Sequence, residues 1–283
     1  MDVLNPSPAL CLPQTMWLIY QVIMNSPGLG PDEVIAMVVP AGLASQTQHG
    51  KRALAGLRDF RLVEQDEEGA LSAEIVGSSS QFLRLLRRRA VVAPADEGSE
   101  LVGAPDLRAG LVWLMRQPPT RPLDYDTVQA EATADPFVND TRWNGFRLWS
   151  QALGFSRPAL AALAKNASQR ARIVPDPTEA VIDAIRAPFG DPLPRNEPLP
   201  IGRLLGFLRA ELPVLPGHPS ATYEGMPTDD QSSLRVVGLA LSSAEQRGAL
   251  TMAYQSDPSG VMALPDSQAF GQDRYVSTVT VKG

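Results

Sequence analysis

PQTMWLIYQVIMN (residues 13–25), PDEVIAMVV (31–39), SQTQHGKRALAGLRDF (45–60) and LVEQDEEGALSAEI (62–75) follow one another closely near the start of the chain. In the first, Met16, Ile19, Tyr20 and Ile23 recur at helical spacing, and Trp17, Leu18 and Val22 fill the flanks, so a helix buried nearly all round is expected. SPGLG then closes it with turn formers. In the second, Pro31 suits the first helical position, and Asp32 and Glu33 lie where the helix dipole favours negative charge. Pro40 and Gly42 stop it. The third is expected to begin near Ser45, an N-cap former. The fourth alternates about an acidic, glycine-containing tip, which is a hairpin signal.

Helix, helix, helix, hairpin is the order of a winged helix-turn-helix, and the third helix has two chemically different sides. At about 100° per residue, Ala53, Leu54, Leu57 and Phe60 gather on one side, and Gln48, Lys51, Arg52 and Arg58 on the other. A recognition helix needs an apolar side for the core and Arg, Lys or Gln to reach phosphates and base edges. A second basic run, RLLRRR, follows the hairpin, and its Arg84, Arg87, Arg88 and Arg89 are expected to extend that surface. A solvated outer face and a protein-docking face give the same pattern, so both stay open beside DNA contact.

The 283 residues suffice for two or three domains, and 44% hydrophobic with 20% charged residues is globular in character. A net charge of -6 argues against a general nucleic-acid coat and permits a local basic patch whose binding is salt-sensitive. The single cysteine, Cys11, excludes an internal disulfide and sits among apolar residues as a small core side chain. No basic leader follows Met1, and no apolar run reaches the ~18 residues of a membrane span. A cytoplasmic protein with no membrane partner is expected.

The expected fold class is mainly α (α+β), with tandem winged helix-turn-helix-like domains joined by a helical middle region. The N-terminal winged-helix domain covers 1–93, and PADEGSELVGAP (94–105) reads as a linker. A helical middle domain covers 94–174. It holds DLRAGLVWLMRQ with Leu107, Leu111 and Leu114 on one side, DYDTVQAEATA, and NDTRWNGFRLWSQALGF. The last is capped by Asn139 or Asp140, closed by Gly154 and lined by Trp143, Phe146, Trp149 and Leu153. This region reads as winged-helix-like without a clear wing. Residues 175–200 are rich in proline and read as a semi-rigid connection around one short helix, TEAVIDAIRA.

A C-terminal winged-helix-like domain covers 201–283. It starts with IGRLLGFLRAEL, with Leu204, Leu205 and Leu208 inward, and continues with the helix SSLRVVGLALSSAEQRG. In ALTMAYQSDPSGVMALP two strands are expected to form a hairpin through a type I turn at DPSG, and YVSTVTV adds a final strand. The preceding helix offers only Arg235 and Arg247 among Asp229, Asp230 and Glu245, so packing or partner docking is assigned to it. The two hairpin units share element order alone, without an exact sequence repeat.

Catalytic patterns fail one by one. Gly50–Lys51 is followed by Arg52 and lacks the upstream glycine of a phosphate-binding loop. The two histidines, His49 and His218, are far apart, and neither CxxC, HExxH nor GxSxG occurs, so no metal site, cofactor or catalytic residue is expected. His218 stands in the turn-like PGHPS. The acidic pairs Asp124/Asp126 and Asp229/Asp230 read as surface carboxylates.

The opening VLNPSPALCLP, the hydrophobic helix and hairpin that follow, and the block NDTRWNGFRLWSQALGF resemble DpdG proteins of bacterial gene clusters for 7-deazapurine DNA modification and the associated restriction of foreign DNA. The resemblance implies a non-enzymatic subunit or adaptor in an antiviral defence complex, working beside a helicase or ATPase on double-stranded DNA. The residues themselves leave two further readings open, a pure protein–protein adaptor with no DNA contact and a winged-helix transcriptional regulator.

Overall fold

The helical periods are realised as α1 (Pro13–Asn25), α2 (Pro31–Val38) and α3 (Gln48–Asp59), followed by the antiparallel strands β1 (Val63–Gln65) and β2 (Leu71–Ala73) and by α4 (Ser79–Val91). A computed structural model describes residues 1–40, 42–43, 47–91, 103–119, 121–131, 137–160, 172–222, 230–255, 260–265 and 272–283. Over these residues the protein is mixed α/β, with ten helices and small antiparallel sheets. Its contacts divide the chain into two compact units, Met1–Gly110 with Glu131–Leu153, and Leu111–Ala130 with Gly154–Gly283.

In the first unit α1 is the central helix, and it packs on α2, α3, β2 and α4. Pro13, Met16, Ile19, Tyr20 and Ile23 are its buried row. The Tyr20 and Phe82 rings meet tilted with centroids 4.9 Å apart, Trp17 and Phe82 likewise at 5.2 Å, and the Tyr20 hydroxyl donates to the Glu74 carbonyl at 2.7 Å. The helix is not buried all round: Leu18 is 53% exposed. Glu33 at the first turn of α2 accepts a hydrogen bond from the Gly30 N–H at 2.8 Å, as its place at a helix start implies. Helix α3 begins at Gln48 after Thr47, whose side chain makes no capping bond; Ser45 lies outside the described residues.

The middle of the chain gives α5 (Pro105–Leu114), α6 (Tyr125–Glu131) and α7 (Asp140–Ala152), then β3 (Ser156–Pro158) and β4 (Ile173–Pro175). Asn139 caps α7, its Oδ1 accepting from the Arg142 N–H at 2.8 Å, and Gly154 turns the chain at a φ of +78°. The middle region also contains a strand pair that its reading as helical did not include: β3 and β4 form an antiparallel ladder, Arg157 opposite Val174. Each strand is three residues long and contains or abuts proline, so alternation could not announce it. Most of the linker expected at 94–105 lies outside the described residues.

In the second unit α8 (Thr178–Arg186) is followed by β5 (Pro198–Pro200), α9 (Ile201–Glu211), α10 (Asp230–Gln246), β6 (Leu250–Ala253), β7 (Met262–Pro265), β8 (Asp273–Val276) and β9 (Thr278–Val281). The proline-flanked helix α8 packs on α9 and α10 and buries Ala180, Val181, Ile182, Ala184 and Ile185. The expected β6–β7 hairpin does not form. β6 pairs with β9 and β7 pairs with β8. Ser277 splits YVSTVTV into two strands, its N–H donating to the Ala253 carbonyl at 3.0 Å and its Oγ accepting from the Gln255 N–H at 2.9 Å. Of the DPSG turn, residues 257–259 lie outside the described residues. The outer edge of β6 is covered by side chains: Met252 donates its N–H to Glu245 and accepts at its carbonyl from Arg274 at 2.8 Å.

One order of elements recurs three times among the described residues. It runs helix, short extended segment, helix, helix, strand, strand, and the early segment bonds to the last strand. In the first run Leu29 accepts from the Leu71 N–H at 3.0 Å, in the second Leu123 and Ile173 exchange bonds of 2.8 and 3.0 Å, and in the third β5 pairs with β9. The first run comprises α1 to β2, the second α5 to β4, and the third α8 to β9 with the β7–β8 hairpin inserted.

Candidate functional site

The apolar side of α3 is tightly held. Ala53, Leu54, Leu57 and Phe60 are buried. Two glycines allow close approach. A Cβ at Gly50 would stand 2.9 Å from Ile35 Cδ1 of α2, and one at Gly56 would stand 3.1 Å from Cys11 Sγ and 3.3 Å from Met16 Cε of α1. The outer side of α3 therefore has a fixed direction. Gln48, Lys51 and Arg58 are exposed on it, together with His49, whose Nδ1 lies 3.3 Å from the Leu10 carbonyl.

Arg52 differs from its neighbours. It is half-buried, its Nη2 donates to the Asp2 carbonyl at 2.8 Å, and its buried Nε has no hydrogen-bond acceptor among the described residues. Sequence reading missed Arg61. It is exposed just beyond the end of α3 with a φ of +54°, and its N–H donates to the Arg58 carbonyl at 2.8 Å. The only signal for it was position, one turn past Arg58. The β1–β2 hairpin has the opposite charge. Glu64, Asp66, Glu67, Glu68 and Glu74 are all exposed on it, and Asp66 shapes the tip by accepting from the Ala70 N–H at 2.7 Å.

The arginines of α4 do not form one surface. Arg89 is exposed, Arg84 and Arg88 are half-buried, and Arg87 is only 6% exposed. Arg87 Nε donates to the Leu153 carbonyl at 2.8 Å. Arg87 is thus a structural residue and leaves the set of candidate contacts. Its guanidinium meets the C-terminal end of α7, where a cation complements the helix dipole.

The remaining candidates have structural partners. Asp124 of the first acidic pair accepts from the Thr127 N–H and Oγ1 at 3.0 and 2.6 Å and from Arg172 Nε at 2.6 Å. Burial alone would raise its pKa, but these bonds hold its carboxyl below the usual range. Asp126 is exposed, and Asp229 lies outside the described residues. His218 Nδ1 takes the Ser220 N–H at 3.1 Å and lies 2.6 Å from Ser220 Oγ, which closes a local turn. Cys11 is buried, and burial pushes its thiol up to about 12. Among the described residues no group of three or more His, Cys, Asp or Glu is placed to hold a metal ion. No helix among them is long and apolar enough to cross a membrane.

No curated protein and no solved structure matches the chain. A family model described as DpdG-like matches residues 1–258, which takes in the α3 face, all of α7 and the chain as far as the segment after β6. The chain therefore belongs to the DpdG-like family, which associates it with the DpdG/7-deazapurine modification system.

Proposed function

We propose that this protein is a non-enzymatic, DNA-associated subunit of a restriction or antiviral defence complex linked to 7-deazapurine modification. In this reading it is built from tandem winged-helix modules. The observation that carries it is α3, whose apolar side is locked against α1 and α2 while Gln48, Lys51 and Arg58 project outward. The element order supports the reading: a third helix before a hairpin, with the early segment at Leu29 bonded to the last strand. Lys51, Arg58 and Arg61 neutralise phosphates, Gln48 is able to reach a base edge, and Arg52 stiffens the helix against the N-terminal segment. The acidic hairpin repels phosphate, which keeps the duplex off the β1–β2 tip. The working partners are double-stranded DNA and a helicase or ATPase subunit.

Binding of the full chain to a fluorescent ~30-base-pair duplex, read by anisotropy across a salt series from ~50 mM, tests the reading. Saturable binding that weakens with salt and weakens further in Lys51→Ala/Arg58→Ala supports it. Absence of binding at the lowest salt sinks it.

A second reading, docking of a protein partner, is favoured by an apolar groove of about 440 Å³ between α1 and α2. Leu18 and Met37, which are 53% and 61% exposed, line it with Val22 and Val38. That reading expects Leu18→Asp/Met37→Asp to release a co-purifying ATPase while duplex binding stays unchanged.

A further inference from the structure

We propose that α7 is a second duplex-contacting helix, through Asn144, Arg147 and Gln151; the proposal rests on the reading of α3 given above. Helix α7 holds in the second run of elements the place that α3 holds in the first, directly before the strand pair. Both helices lie in the first compact unit, where Phe60 at the end of α3 meets Trp149 of α7 edge to face at 6.4 Å.

The packing of α7 decides which side it presents. Trp143, Gly145, Phe146, Trp149 and Ser150 are buried, and Trp149 Nε1 donates to the Cys11 carbonyl at 2.8 Å. The opposite side carries Asn144, Arg147 and Gln151, one helical row, with Asn144 exposed and the other two half-buried. This set has the donors that read DNA. Guanidinium pairs with guanine O6 and N7, and the amides of Asn and Gln pair with adenine N6 and N7.

Arg147 is tied to its neighbour in the row. Its Nη2 donates to Asn144 Oδ1 at 3.3 Å, but its Nε is buried without an acceptor among the described residues. Arg52 of α3 shows the same unsatisfied Nε. Asp140, exposed at the head of the row, opposes phosphate there and limits the contact to the Asn144–Gln151 stretch. Helix α10, in the same place in the third run, carries a single basic residue, the exposed Arg235.

The test is duplex anisotropy of the full chain against salt, comparing wild type, Lys51→Ala/Arg58→Ala, Asn144→Ala/Arg147→Ala/Gln151→Ala and the single exposed change Asn144→Asp. The triple variant is expected to lose roughly 10-fold or more in affinity, and the slope of log affinity against log salt to flatten by about 1. Asn144→Asp, at an exposed position where a carboxylate still accepts from Arg147 Nη2, is expected to weaken binding by a similar factor. If wild type binds and the α3 variant weakens binding, but both α7 variants keep affinity and slope, the α7 proposal fails and α3 stands. If wild type does not bind duplex, both fall together.

Discussion

Arg87 of α4 donates its Nε–H to the Leu153 carbonyl at 2.8 Å, and both residues are buried. The bond ties the helix after the first hairpin to the C-terminal end of α7, two segments 66 residues apart in sequence. Replacing Arg87 with Met keeps the stem and removes the guanidinium, which leaves a buried helix-end carbonyl without this donor. The expected cost is about 2–3 kcal/mol of stability. Arg89→Met, at an exposed position of the same run, should change stability by less than ~0.5 kcal/mol. Urea midpoints of the two variants check this, and equal midpoints would return Arg87 to the surface set.

Arg87 also shows what the sequence could and could not reveal. The run RLLRRR announces charge, but Arg87 stands in the row Leu83, Arg87, Val91, whose last member is buried. That row was readable and pointed inward. The faces of α3 were readable for the same reason, since a twelve-residue helix repeats its period three times. Contacts distant in sequence were not. Leu29 sits in SPGLG and looks like pure turn, yet it bonds β2 across the sheet. A one-residue segment has no period to detect. Strand β9 lies between β5 and β6, separated from β8 by Ser277, whereas adjacency in sequence favoured a β6–β7 hairpin. The threefold recurrence is invisible to residue comparison because it is a matter of pairing order, which many side-chain sets satisfy.

Cys11 should be inert in the folded protein. Burial, opposed by the nearby Arg52 guanidinium, raises its pKa from 9.0 to about 12, and its Sγ lies 3.8 Å from both Met16 Sδ and the Arg52 carbonyl. A disulfide reagent at about pH 8 is expected to label it only after denaturant is added, because the thiolate is the reacting form. The sign of the linkage follows. Above 9.0 the unfolded thiol ionises and the folded one does not, so stability falls as pH climbs from there toward about 12. Rapid labelling without denaturant would contradict the buried placement.

Glycines in two helices should respond oppositely to alanine. A Cβ at Gly110 would lie 2.7 Å from Phe146 Cε2 and 3.1 Å from Phe137 Cζ, and a buried ring cannot give way cheaply. Gly110→Ala is expected to destabilise by about 1–3 kcal/mol. Gly206, exposed within α9, has nothing within 4 Å of such a Cβ. Gly206→Ala is expected to stabilise by ~0.5–1 kcal/mol through helix propensity. Thermal melts of the two variants that shifted in the same direction would contradict the packing at one of these sites.

The Asp124 cluster predicts an acid sensitivity in the second unit. Burial raises the Asp124 pKa, and the hydrogen bonds from Thr127 and Arg172 outweigh it, so the net folded value is depressed. A depressed carboxyl contributes stability above its unfolded value near ~3.9, and that stability is lost as pH falls further through the folded value. Arg172 precedes β4, and Asp124 precedes α6, next to Leu123, which exchanges backbone bonds with Ile173. The ion pair therefore clamps the early segment to the last strand of the second run. Asp124→Asn keeps the shape, weakens the bond from Arg172 and is expected to cost about 1–2 kcal/mol near pH 7. The gap between variant and wild type should shrink as pH falls below ~3.9, because wild-type Asp124 is then losing the same charge. Urea midpoints of both proteins across that range give the measurement, and a gap that stayed constant with pH would mean that the charge of Asp124 does not hold the clamp.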